Sequence, residues 1–127
     1  IIFGIIFVSM GFWLCGCAMD NGYIKFYVKD EENMTPAEVR KLRKSRNFPN
    51  KIRLIRTNSM EETLKENQGL IKYSGCFYIG DSAFRGPVDR EHSAKKAAEH
   101  FGANTVVNMI LPDFNRYRQE AHFLLCP

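Results

Sequence analysis

Few of the residues in this 127-residue chain that can do covalent or acid–base chemistry stand at the spacings such chemistry needs. The four cysteines, Cys15, Cys17, Cys76 and Cys126, include no Cys-x-x-Cys pair and have no histidine at zinc-ligand spacing, so no metal site is expected. His92, His100 and His122 are the only histidines. His92 and His100 stand on one predicted helix, about 80° apart around its axis and about 12 Å apart along it, too far to share an ion. Ser82, Asp89 and His92 supply the residue types of a nucleophilic triad but lack the strained elbow sequence that exposes such a serine. The carboxylates form no recognisable acid–base pair, and neither a catalytic residue nor a cofactor is expected. Gly80 to Pro87 is dense in turn residues and reads as a loop between a strand and a helix. In it Asp81, Ser82 and Arg85 either orient a small polar ligand or belong to a packed turn; the glycine spacing fits neither a P-loop nor a dinucleotide fingerprint.

Electrostatics gives a sharper signal. Arg40, Lys41, Arg43, Lys44, Arg46, Lys51, Arg53 and Arg56 fall within seventeen residues that contain no acid. Residues 20–56 carry a formal charge of +5 and residues 57–127 carry −1, so the net +4 resides in one segment. It is either a solvated surface or a contact for a polyanion.

Stepping from these residues to the elements that carry them, Thr35-Pro36-Ala37-Glu38 has the hydroxyl cap, first-turn proline and glutamate that open a helix, expected to run to about Arg46. A strand follows at Lys51 to Arg56. Ser59 to Glu62 is a second capping box, whose helix is expected to stop at Gly69. Leu70 to Gly80 reads as a strand, Asp89 to Phe101 as a helix stopped by Gly102, and Thr105 to Leu111 and Ala121 to Cys126 as strands around a turn at 111–115. Tyr23 to Val28 is a short candidate strand in a segment otherwise read as a tether. The order predicts an α/β (α+β) two-layer sandwich, one sheet of three to five strands with about three helices on one face and at least one parallel crossover.

The head of the chain differs from this body. Residues 1–19 hold fifteen of the apolar set and no charged side chain. Such a stretch reads as a secretory signal, as a membrane-spanning anchor or as a buried helix. Leu14-Cys15-Gly16-Cys17 resembles the bacterial lipobox. That resemblance implies cleavage before Cys17, a diacylglyceryl thioether on its sulfur, and acylation of the new amino group. Two or three acyl chains anchor a protein stably where one does not. It divides the chain into a signal peptide (1–16), a lipid-anchored tether (17–34) and an α/β domain (35–127), with further residues, some of them basic, expected ahead of Ile1. Ala18 after the cysteine resembles the outer-membrane sorting pattern. With Cys15 removed and Cys17 acylated, Cys76 and Cys126 remain in an oxidising compartment, either as a disulfide or as two buried thiols. A disulfide would close a loop of about 50 residues, for about 4 kcal/mol of chain entropy.

Tyr78-Ile79-Gly80-Asp81-Ser82-Ala83-Phe84-Arg85-Gly86-Pro87, with Ala94 to Ala98 and Gly102-Ala103-Asn104-Thr105-Val106-Val107, resembles a group of small bacterial lipoproteins to which no activity is assigned. Their pattern is an Ile-Gly-x-Ser-x-Phe-x-Gly turn, an Ala-containing helix, and Gly-Ala before a Val-rich strand. The last element also resembles envelope lipoproteins of the Rcs stress-sensor type. The resemblance implies an envelope protein on the outer membrane facing the periplasm, a non-catalytic binding, sensing or structural module. Its expected partners are the membrane through the lipid, then anionic lipid, lipopolysaccharide or wall polymer, or an envelope protein, and not nucleic acid. Two alternatives stand beside it: a small-ligand or enzymatic domain using residues 81–85, and a transmembrane-anchored component of an envelope or secretion complex.

Overall fold

In the computed structural model, residues 21–28, 32–86 and 91–127 are described. The signal peptide, Cys15, Cys17 and Asp89 lie outside them. The elements are α1 (Gly22–Lys25), α2 (Pro36–Ser45), β1 (Arg53–Thr57), α3 (Met60–Tyr73), β2 (Phe77–Gly86), α4 (Glu91–Phe101), β3 (Thr105–Asp113) and β4 (Arg116–Leu125). The strands form one mixed sheet in the order β1-β3-β4-β2, with β1 parallel to β3 and the other two pairs antiparallel. The α/β sandwich expected from the sequence is therefore present, a single four-stranded sheet with helices packed on it.

Local sequence explains most boundaries. Thr35 Oγ1 accepts the Glu38 amide at 3.2 Å while Glu38 Oε1 accepts the Thr35 amide at 3.1 Å, a reciprocal capping box behind Pro36. Ser59 Oγ caps α3 by accepting the Glu62 amide, while the Glu62 carboxylate accepts the Asn58 amide one residue earlier. Strand β3 is buried on both faces: Val106 packs in the larger apolar cluster, with Ala94, Ala97 and Ala98 of α4, and Val107 packs in the smaller one, with Leu70 of α3. Helices α3 and α4 thus lie on opposite faces, where one helical face was expected, because a central strand apolar at both parities needs cover on both sides.

Three further expectations are corrected. Helix α3 runs past Gly69 to Tyr73, which brings Thr63, Asn67 and Leu70 onto the sheet at helical spacing; it ends at Ser74, and Gly75 takes the left-handed φ of 69°. Residues 70–73 are accordingly helix, and β2 starts at Phe77. It then continues through residues 81–86, which are strand rather than loop, paired with β4 from Asp81↔His122 to Gly86↔Tyr117.

The third correction concerns Tyr23 to Val28. These residues do not form a strand; they give the single turn α1, capped by Asn21, followed by one bridge from Tyr27 to Ser82. The Val28 amide donates to the Asp81 carbonyl and the Met34 amide to the Ile79 carbonyl, so the segment covers the open edge of β2. Tyr23 is fully buried. Residues 21–28, expected in the tether, are part of the folded domain.

Candidate functional site

Helix α2 fully buries only Val39 of its ten residues, with Leu42 half-buried against the core, and leaves a gap between itself and the C-terminal turn of α4. The gap is a trough with two adjoining chambers. The first, about 780 Å³, is bounded by α2, by residues 27–28 and 33–35, by Ile79 of β2 and by the C-terminal turn of α4. Tyr27 stacks on Phe101 at 3.9 Å between centroids, and Met34, Val39 and Ile79 complete an apolar lining. The second, about 640 Å³, is lined by Arg43, Asn50, His92, Lys95, Lys96 and Glu99, over Ile52 and Ala103. Arg43, Glu99 and Gly102 border both chambers.

Arg43 is fixed at the junction. Its Nε donates to the Gly102 carbonyl at 2.7 Å and Nη1 to Asn50 Oδ1 at 3.4 Å, leaving further guanidinium hydrogens for a ligand. Chambers of this size and largely apolar lining, with a few oriented polar groups, are the usual form of small-molecule sites. Burial pushes the Tyr27 hydroxyl pKa up, and the Asp81 charge adds to the effect; the neutral hydroxyl donates to the Ile79 carbonyl.

The basic residues singled out in the sequence do not form one patch. Arg43 turns into the trough and Arg40 stands on its rim. Arg46 lies over the Phe77 ring at 5.4 Å, a cation–π contact. Lys41, Lys44 and Lys51 are exposed on the surface. Arg53 and Arg56, three apart on β1, point to opposite sheet faces, and Arg56 has a partner of its own.

The pleat puts Ser82 on the opposite sheet face from Asp81 and Arg85, which stand four apart along β2. Ser82 is buried and its hydroxyl donates to the Tyr23 carbonyl, which puts it out of reach of a histidine. Arg85 pairs with Asp113 at 3.1 Å across a largely solvent-exposed contact. The Ile-Gly-x-Ser-x-Phe-x-Gly stretch instead receives residues 21–28. Ile79 enters the core, Gly80 leaves room for the Tyr27 ring, where a Cβ would meet Tyr27 Oη at 2.0 Å, Ser82 holds Tyr23, and Phe84 sits edge-on to Tyr23 at 4.8 Å. Below Tyr23, its hydroxyl donates to Gln119 Oε1 and accepts from Asn108 Nδ2, a buried polar chain.

A titratable cluster lies on the α3 face that sequence reasoning missed. His122 Nε2 contacts Glu120 Oε1 at 2.8 Å, and the Tyr78 hydroxyl contacts His122 Nδ1 at 2.7 Å. The hydrogen bond from His122 is the main reason the Glu120 carboxyl is held below its ordinary pKa, against its burial. With Glu120 ionised, Nε2–H donates to it, and Nδ1 shares a hydrogen bond with the Tyr78 hydroxyl. Burial, reinforced by Asp81 and Glu120, raises the Tyr78 pKa. The signal was present: residues two apart on a strand share a face. None of the three lines either chamber of the trough, and their hydrogen-bonding groups serve one another.

Cys76 and Cys126 form a disulfide that ties the start of β2 to the end of β4. Asn104 locks the same end, donating to the carbonyls of Cys126 and Pro49 and accepting the Cys126 amide. Among the described residues no group of three or more His, Cys, Asp or Glu side chains could hold a metal ion, and no helix is long and apolar enough to cross a membrane. No protein-family model matches the chain, and no curated protein or solved structure is found that resembles it.

Proposed function

We infer that this chain is a non-catalytic module of the bacterial cell envelope, anchored by a lipid on Cys17 and facing the periplasm from the outer membrane, whose α/β domain binds a ligand in the trough between α2 and α4. The trough carries the reading: two adjoining chambers with an arginine held at their junction are a built recognition surface. The Leu14 to Cys17 lipobox resemblance supports the anchor, and the Cys76–Cys126 disulfide suits an oxidising compartment. Lys41, Lys44 and Lys51 are exposed and add positive charge that draws an anionic ligand toward the domain. Residues 81–85, the seat of the small-ligand alternative, are paired strand and not a loop.

Two measurements test this reading separately. Labelled palmitate is expected on the wild-type chain and not on Cys17→Ala; label retained by the variant, or absent from both, overturns the anchor. Crosslinking in intact envelopes from a photoreactive residue at Arg40, on the trough rim, is expected to capture a ligand; capture that survives bulky substitution of Met34 overturns the trough as its seat.

A further inference from the structure

The two chambers differ in chemistry, and that difference specifies a ligand. The first presents an apolar wall of Tyr27, Met34, Val39, Ile79 and Phe101, with Arg40, Arg43, Glu99 and His100 as its ionisable lining residues. The second presents three permanent cations, Arg43, Lys95 and Lys96, and His92, against the single carboxylate Glu99. A wholly apolar ligand would leave that positive end unmatched. A small anion would leave an apolar chamber of about 780 Å³ wet, which is unfavourable for surface of that kind.

Resting on the trough reading above, we propose that the ligand is a single-chain amphiphile with a phosphate-ester head, its hydrocarbon chain in the Tyr27–Phe101 chamber and its phosphate between Arg43, Lys95 and Lys96. Arg43 is the hinge of this arrangement. The Gly102 carbonyl holds its Nε while its remaining donors lie at the mouth between chambers, so phosphate meets a planar donor group already oriented. Lys95 and Lys96 are exposed point charges that close around the head after it arrives.

The experiment uses the full chain in phosphatidylcholine nanodiscs and a dodecyl phosphate probe with a photoreactive diazirine at the chain end. Crosslinks are expected within residues 27–43 and 99–102, and excess dodecyl phosphate is expected to displace the probe at least about tenfold better than dodecanol or inorganic phosphate. The exposed double variant Lys95→Glu, Lys96→Glu should weaken that displacement about tenfold, with an unchanged circular dichroism spectrum. Equal displacement by dodecanol overturns the phosphate assignment while leaving the trough an apolar site. Displacement by inorganic phosphate alone overturns the chain assignment. Absence of crosslinks in the trough overturns both this proposal and the trough reading, and palmitate labelling of Cys17 reads the anchor independently of either.

Discussion

The two faces of the sheet solve the same problem by different means. The α4 face is broad and held without covalent help: a twelve-residue buried cluster with Phe123 at its centre, three alanines that let α4 approach closely, and the Tyr23 polar chain beneath α1. On the α3 face the apolar cluster has four buried residues, one of them Cys76, and the disulfide with the Asn104 lock does what a larger cluster does opposite. The chambers lie on the face with apolar area to spare. The small face is the one that depends on the disulfide.

This contrast can be broken from either side. Phe123→Ala, on the α4 face, should lower stability by about 3–5 kcal/mol whether or not the disulfide is intact, read as a shift in urea midpoint. A smaller loss in the oxidised protein would mean that the cross-link, not the packing, holds that face. Reduction, or Cys76→Ala with Cys126→Ala, should remove about 4 kcal/mol through the loop it opens and chiefly loosen the α3 face. Hydrogen exchange that rises equally on both faces would erase the distinction.

Tyr23→Phe should cost about 1–3 kcal/mol, because Asn108 Nδ2 and Gln119 Oε1 lose a buried partner. The acid limb comes next. Since folding lowers the Glu120 pKa, this carboxylate stabilises the fold above its unfolded value of about 4.3, and the contribution is lost as pH falls through the lower folded value. Urea midpoints should therefore drop more steeply below about pH 4 in the wild type than in Glu120→Gln; parallel curves would remove His122–Glu120 from the account of the α3 face. Smallest is a gain. Gly69 lies inside α3 with open space where a Cβ would go, so Gly69→Ala should add about 0.5–1 kcal/mol, measured by thermal denaturation.

Where local chemistry decides an element, the sequence reads well: the caps at Thr35 and Ser59, the end of α4, and the β-branched run of β3 all lie close to where their residues put them. The Cys76–Cys126 bond was legible through the compartment that the lipobox resemblance implies. Elements shaped by a distant partner did not show. Residues 80–86 have the composition of a loop because Gly80 and Ser82 are small to admit Tyr23 and Tyr27 from fifty residues away; their alternation was the available signal. Gly69 looked like a helix stop, but the contacts of Leu70 with the sheet outweigh its propensity. The trough was legible only as a basic segment, since nothing local says that α2 holds itself away from α4.

The burial of Tyr23 sets the length of the mooring. Asn21 already caps α1 and donates to the Ser93 carbonyl, so the fold begins four peptide steps after Cys17. A chain of that length reaches about 14 Å when fully stretched. With a lipid on Cys17, the domain cannot drift into the periplasm as a ball on a string; it must rest against the headgroups on its α1 side, where Lys25 and Phe26 are exposed. That is the end of the sheet carrying the Phe114 hairpin, because α1 sits at Phe84, well along β2 from the Ile79 region. The apolar chamber, lined by Ile79 and Gly102, then lies toward the other end of β2 from the mooring.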